Sequence, residues 1–234
     1  MHSYEHLATS YDAFTDDVNY AAWADYFERE FAGNVKSVLD LACGTGSLTE
    51  ILLERGFDVT AVDASSDMLA IAAGKAPDAL FLCQSMETLD LYGTVDAAIC
   101  CLDSFNYLAD YDAFARAIAR LRFFISPGGL LIFDLNTDAK FKTMDGEVYL
   151  RDSEEHFCVW SADYNEETRI CRMDMDIFDK KGELWQRSFE EHIERAHSDA
   201  EVRKALDYAK FDVIRTDEPF DVGRVFYIAR RRAD

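Results

Sequence analysis

The stretch SVLDLACGTGSLTEILLERG, Ser37 to Gly56, decides how the rest of the chain is read. KSVLD is a short apolar run that reads as a buried strand, and SLTEILLER repeats apolar residues at helical spacing until Gly56 closes it. Between them, Gly44 and Gly46 let the backbone turn tightly and let a ligand approach with no Cβ in the way. A nicotinamide-binding fingerprint would want a third glycine where Thr49 stands, and a phosphate-binding loop would want Gly-Lys-Ser/Thr, so neither pattern fits. Asp40 instead sets an anion beside the loop, where a pyrophosphate would be repelled and an ammonium group attracted.

Working outward, the chain alternates strand and helix. DVTAVD is followed by the helical SSDMLAIAAG, ALFLC reads as a third strand and VDAAICC as a fourth. The helix DYDAFARAIARLRFFI then places Phe114, Ile118, Leu121 and Ile125 on one face, and PGG turns the chain into a fifth strand, LLIFDLN. This alternation implies right-handed crossovers and a parallel sheet covered on both faces, an α/β Rossmann-like three-layer sandwich. Upstream, YAAWADYFEREFAG is a helix ending on Gly33, preceded by a shorter helix around residues 3–13; together they form an N-terminal cap over 1–34. Downstream, period-two alternation and a Lys-Gly turn at 181–182 predict an antiparallel β insertion of two or three strands between about 147 and 196. A last helix opens at Ser198 with Glu201 in capping-box register, and FDVIRT and RVFYIARR form a hairpin that completes the sheet over 198–234. No linker interrupts residues 1–234, so one continuous domain with its cofactor-binding core at 35–137 is expected.

Composition narrows the partners. Forty-five acids against 24 bases give a formal charge of −21, which repels a phosphate backbone, disfavours nucleic acid and mildly favours cationic ligands. No uncharged apolar run of about 18 residues points to a membrane span, and the N-terminus lacks an export pattern, so a cytoplasmic location is expected. The six cysteines include no Cys-x-x-Cys pair and no histidine at zinc spacing; they read as reduced thiols packed as small hydrophobes, with no metal.

The second strand ends on Asp63, from which a carboxylate can accept both hydroxyls of a ribose. A ribose and a cation together describe S-adenosylmethionine. In order and spacing, VLDLACGTG, VTAVDAS..ML, DAAIC and SPGGLLIFDLN resemble the motifs of class I S-adenosylmethionine-dependent methyltransferases, over residues 35–137. The leading SYEHLATSYDAFTDDVNYAAWADYF is similar to a bacterial subgroup of small enzymes of that family. The resemblance implies a seven-stranded, mostly parallel sheet whose last strand is antiparallel. It also implies that Ala42, Cys43, Gly44 and Gly46 line the methionine end and that Asp40 receives its ammonium directly or through water. Asp63 would hold the ribose, Ala64 and Met68 would cover the adenine, and Cys101 and Leu102 would flank the reactive methyl. Gln84 to Met86 fall where the family usually shows an acid for the adenine amino group; Ser85, or a backbone group near Met86, stands in for it. Tyr11 and Tyr20 resemble positions that fold over the cofactor, whereas Trp23 reads as core.

For the acceptor the signals are weaker. Asp103 or Asn106 could orient it, with helix capping as the competing role. His192 and His197 could act as a base, but lone histidines in a charged segment are usually solvated. Tyr149, Trp160, Trp185 and Arg195 could line a lid pocket or simply make a sheet face. The expected reaction is in-line methyl transfer to a small-molecule nitrogen, oxygen or carbon nucleophile, yielding S-adenosylhomocysteine and needing mainly orientation and desolvation. The rivals are methylation of transfer RNA or a protein, a non-catalytic cofactor-binding regulator, and, at the level of fold, a nicotinamide dehydrogenase.

Overall fold

The structure, a computed structural model, describes residues 7–233. Helices α1 (Tyr11–Phe14) and α2 (Tyr20–Phe31) precede an alternating run. That run is β1 (Ser37–Leu41), α3 (Ser47–Glu54), β2 (Asp58–Asp63), α4 (Ser66–Lys75), β3 (Leu80–Cys83), β4 (Val95–Cys100), α5 (Tyr111–Leu121) and β5 (Ile125–Asn136). A short α6 (Asp138–Met144) leads into β6 (Val148–Asp152), β7 (His156–Asn165), β8 (Ile170–Lys181) and β9 (Leu184–Arg195). The chain closes with α7 (Asp199–Tyr208), β10 (Phe211–Asp217) and β11 (Arg224–Arg231).

The main sheet has seven strands in the order β10-β11-β5-β4-β1-β2-β3. Strands β1 to β5 pair in parallel, while β11 runs antiparallel to both β5 and β10. Strand order reverses between β1 and β4, which opens a crevice at their carboxyl ends, the place where such sheets take ligands. Alternate residues of each strand serve opposite layers. Leu131, Phe133 and Leu135 of β5 pack on α5 and α7, whereas Leu130 and Ile132 join Val38, Ile99 and Phe226 beneath Trp23, Phe27 and Phe31 of α2. Burying each large apolar side chain contributes about 1.5–3 kcal/mol, so both faces hold the sheet and the crevice is a rigid feature.

The second sheet is antiparallel, in the order β6-β7-β8-β9. The insertion therefore has four strands where two or three were expected; β6 is almost wholly exposed and carries no alternating apolar signal. The Lys-Gly turn holds: Lys181 pairs with Leu184 and Gly182 adopts φ +68°. Only part of the expected helix around 3–13 can be compared. Residues 7–10 form a turn ahead of α1, and residues 3–6 lie outside the described residues. The PGG segment is a bulge rather than a turn before β5, because the register jumps from Val95↔Ile125 to Ala97↔Leu130. Among the described residues no helix is long and apolar enough to cross a membrane.

Candidate active site

The glycine loop follows β1 directly. Ala42, Gly44 and Gly46 have φ of 59°, 55° and 78°, and Cys43 N donates to Val62 O at 3.0 Å, tying the loop to β2. The two glycines do different work. A Cβ on Gly44 would have only Cε1 of Tyr11 near it, at 4.0 Å, and would stand in the ligand crevice. A Cβ on Gly46 would sit 2.8 Å from Cβ of Ala72, so this glycine lets α3 approach α4 and does not line the crevice. Asp63, at the end of β2, accepts from Gly44 N at 2.9 Å and from Ser65 N at 2.8 Å. Both oxygens are thereby oriented while lone pairs remain for a ligand.

These groups border a cavity of about 430 Å³, within the range of cofactor sites. Of the residues singled out from sequence, Tyr11, Ala42, Gly44, Asp63, Ala64 and Met68 line it, as do Met86 and Leu102. Ser85 does not. Its hydroxyl accepts from Glu87 N at 3.3 Å and caps the turn Met86–Thr88, while the neighbouring Gln84 faces the cavity. Asp40, Cys43, Cys101 and Tyr20 surround a separate recess of about 40 Å³, which also touches Ala42 and Gly44. Such a space admits a water or a small group. Burial pushes the Asp40 carboxyl from its ordinary 3.8 up to about 6, and the charge of Asp63 adds to this; Thr49, donating from Oγ1 at 2.5 Å, opposes it. A buried carboxylate so poorly compensated gains from any cation that arrives beside it. Burial also raises the Tyr11 phenol well above its ordinary value, so Tyr11 remains a neutral donor.

A second cavity, of about 450 Å³, lies under the inserted sheet and meets the first at Tyr11, Leu102 and Tyr107, which border both. At this junction Leu102 and Asp103 have φ of 54° and 53°, left-handed conformations that cost a non-glycine residue about 1–2 kcal/mol each and tend to collect at functional sites. Tyr149 and Trp160, stacked at 4.1 Å, line the second cavity, but Trp185 is exposed on β9 and Arg195 pairs with Glu201 at 2.7 Å. Asp103 faces the cavity and bridges to Arg224 at 2.6 Å. Asn106 is buried and donates to Asn136 O and Arg195 O at 2.9 and 2.8 Å, joining the two sheets, while the α5 cap falls to Asp110.

Neither histidine is solvated. His197 is buried, stacks on Phe114 at 4.4 Å and is pushed down to about 4 by burial and then by Arg195, which makes it a neutral core residue. His192 lines the second cavity, with Nδ1 2.9 Å from the Tyr107 hydroxyl and Nε2 3.0 Å from Glu190. Reading the sequence missed Tyr107, Glu190, Glu194 and Arg224. The sequence carries no apolar signal for Glu190, His192 and Glu194, which are 2–4% exposed and all turned inward from β9; only their spacing of two along a strand could have grouped them.

Comparison with known proteins agrees with this architecture. Residues 38–129 match the family described as Methyltransferase domain. The Bacillus subtilis protein YqeM, named as a methyltransferase, is 29% identical over 93% of this chain and 90% of its own length. A crystal structure of an S-adenosylmethionine-dependent methyltransferase from Clostridium acetobutylicum is also 29% identical, with a TM-score of 0.86 over 99% of this chain and 100% of that one. CalS10 of Micromonospora echinaspora, an amino pentose methyltransferase solved with S-adenosylmethionine bound, shares the fold at 22% identity, with a TM-score of 0.78 over 99% of this chain and 98% of its own. Fold and relatives together define a class I S-adenosylmethionine-dependent methyltransferase. The present chain carries the methyltransferase domain at residues 38–129 and is similar over nearly its whole length to proteins of that class, which supports S-adenosylmethionine as its cofactor. Its residues fit that molecule: Gly44 leaves open space beside Tyr11, Asp63 presents an oriented carboxylate, and Asp40 is a buried anion in want of a cation.

Proposed function

We propose that this enzyme methylates a small molecule, at a nitrogen, oxygen or carbon nucleophile, held in the cavity beneath the inserted sheet. One observation carries the reading. The acceptor-side cavity is bordered by the chain's own N-terminal segment, inserted sheet and β11, and joins the cofactor-side cavity at Tyr11, Leu102 and Tyr107. When bound, the cofactor supplies an already activated methyl group on a sulfonium.

The protein's task is then to hold the nucleophile in line and keep water away. Asp63, Gly44, Ala64 and Met68 seat the nucleoside, with Met86 and Gln84 at the adenine end. Asp40 attracts the ammonium of the methionine part across the small recess, beside Cys43 and Cys101. Tyr11 and Leu102 close the junction. A proton released from the nucleophile has a route from the Tyr107 hydroxyl to His192 and on to Glu190, each within hydrogen-bond distance of the next.

The net charge of −21 supports a small acceptor over a polynucleotide. The test is to incubate the protein with methyl-labelled S-adenosylmethionine and a cell extract, then separate products by mass. Label in the low-mass fraction is expected. Label confined to RNA or protein would assign a macromolecular acceptor, and cofactor binding without any transfer would make the chain a regulator.

A further inference from the structure

We infer that the acceptor carries an amino group, bound as an ammonium ion against Glu194 and Asn136 in the cavity beneath the inserted sheet. This deepens the proposed function and rests on it.

The basis is the charge inventory of that cavity. Among the described residues its three lysine and arginine side chains are all engaged: Lys140 with Asp221 at 2.5 Å, Arg151 with Asp17, and Arg224 with both Asp103 and Asp134. The fourth lining carboxylate, Glu194, is 2% exposed, and its Oε2 is buried with no hydrogen-bond partner among the described residues. Asn136 Oδ1, on a residue 4% exposed and lining the same cavity, is likewise buried without a partner. Two buried acceptors without a donor are costly unless a ligand completes them.

The ligand must supply hydrogens to both. A hydroxyl has one to give and does nothing to favour ionisation of Glu194. An ammonium has three and neutralises the carboxylate. An anionic acceptor would meet Glu194 and Asp103 with the described lysine and arginine side chains of the lining already bridged. Burial pushes the Glu194 carboxyl well above its ordinary range; the charge of Asp103 and a side-chain hydrogen bond with it add to this, while Arg224 and a hydrogen bond from the Asn136 side chain oppose it, so an arriving cation at the unpartnered Oε2 finds a group that gains by ionising beside it. The stacked Tyr149 and Trp160 offer further aromatic surface, which suits a cation.

The experiment uses the full chain saturated with S-adenosylhomocysteine, and ligand-observed NMR with paired probes: glucosamine against glucose, and ethanolamine against ethylene glycol. The amine of at least one pair should bind ten times more tightly than its hydroxyl partner. Glu194→Gln should abolish that preference while still taking up S-adenosylhomocysteine. Equal binding within both pairs, absence of amine binding to the loaded protein, or a preference that survives in Glu194→Gln would overturn the inference. Should the variant fail to fold, the preference within pairs on the natural protein decides alone. Failure to take up S-adenosylhomocysteine at all would instead break the reading on which the inference rests.

Discussion

The two cavities that meet at Tyr11, Leu102 and Tyr107 are of similar size but are built in opposite ways. The cofactor side is made at the ends of neighbouring parallel strands, by backbone turns and short side chains close together in the chain. Its parts are Ala42 to Gly44 after β1 and Asp63 to Met68 after β2. The cavity proposed for the acceptor is assembled from segments far apart in sequence: residues 7–18, Asp103, Asn136, the inserted sheet and Arg224. A local loop at a switch in strand order can serve any member of a family, whereas an assembled pocket is specific to its own enzyme.

Three substitutions test this contrast. The largest effect belongs to Asp63→Ala, which removes a doubly oriented carboxylate. Charged hydrogen bonds are worth about 1.5–3 kcal/mol each, so calorimetry should show affinity for S-adenosylhomocysteine falling by about a hundredfold. A loss below about threefold would move the ribose elsewhere.

Asp40→Asn comes next, and its sign depends on pH. Folding raises the Asp40 carboxyl from 3.8 to about 6, so its contribution to stability is fully present below 3.8 and is lost as pH rises through 6. At pH 7 the penalty is at most about 3 kcal/mol. In thermal melts without ligand, Asp40→Asn should be the more stable protein at pH 7, and the difference should vanish near pH 4. Cofactor binding runs the other way. Affinity of the natural protein for S-adenosylhomocysteine should weaken as pH falls through about 6, and the variant should bind weakly with a flatter profile. Asp63, also raised by burial, titrates in the same direction and leaves a residual slope.

Gly46→Ala is the smallest. Its φ of 78° and the 2.8 Å approach of the new Cβ to Ala72 should cost about 1–2 kcal/mol in denaturant unfolding, with cofactor affinity changed less than the stability. A selective loss of affinity would return Gly46 to the ligand crevice.

The contrast also explains what could be read in advance. Strands β1 to β5, their helices and the closing β10–β11 hairpin announce themselves by local period and punctuation, and Gly44 and Asp63, marked out by the same local reading, do border the first cavity. Gly46 and Ser85 carry motif positions but serve helix packing and a turn cap, roles that depend on neighbours the motif does not contain. In the insertion, β6 has no buried face to betray it, and β9 turns Glu190, His192 and Glu194 inward where a simple pattern would put apolar residues. Functional sites are where local rules are broken, so EEHIER reads as a solvated strand until the fold supplies Tyr107, Asn136 and Asp103 around it.

Asp40 and Asp63, either side of the Gly44 bend, are proposed to make a cradle for a cationic nucleoside and not for a diphosphate. Isothermal titration of the natural protein with S-adenosylmethionine and, separately, with NAD tests it most directly. One S-adenosylmethionine per chain with no heat from NAD is the predicted result; binding of NAD, with S-adenosylmethionine inert, would contradict it.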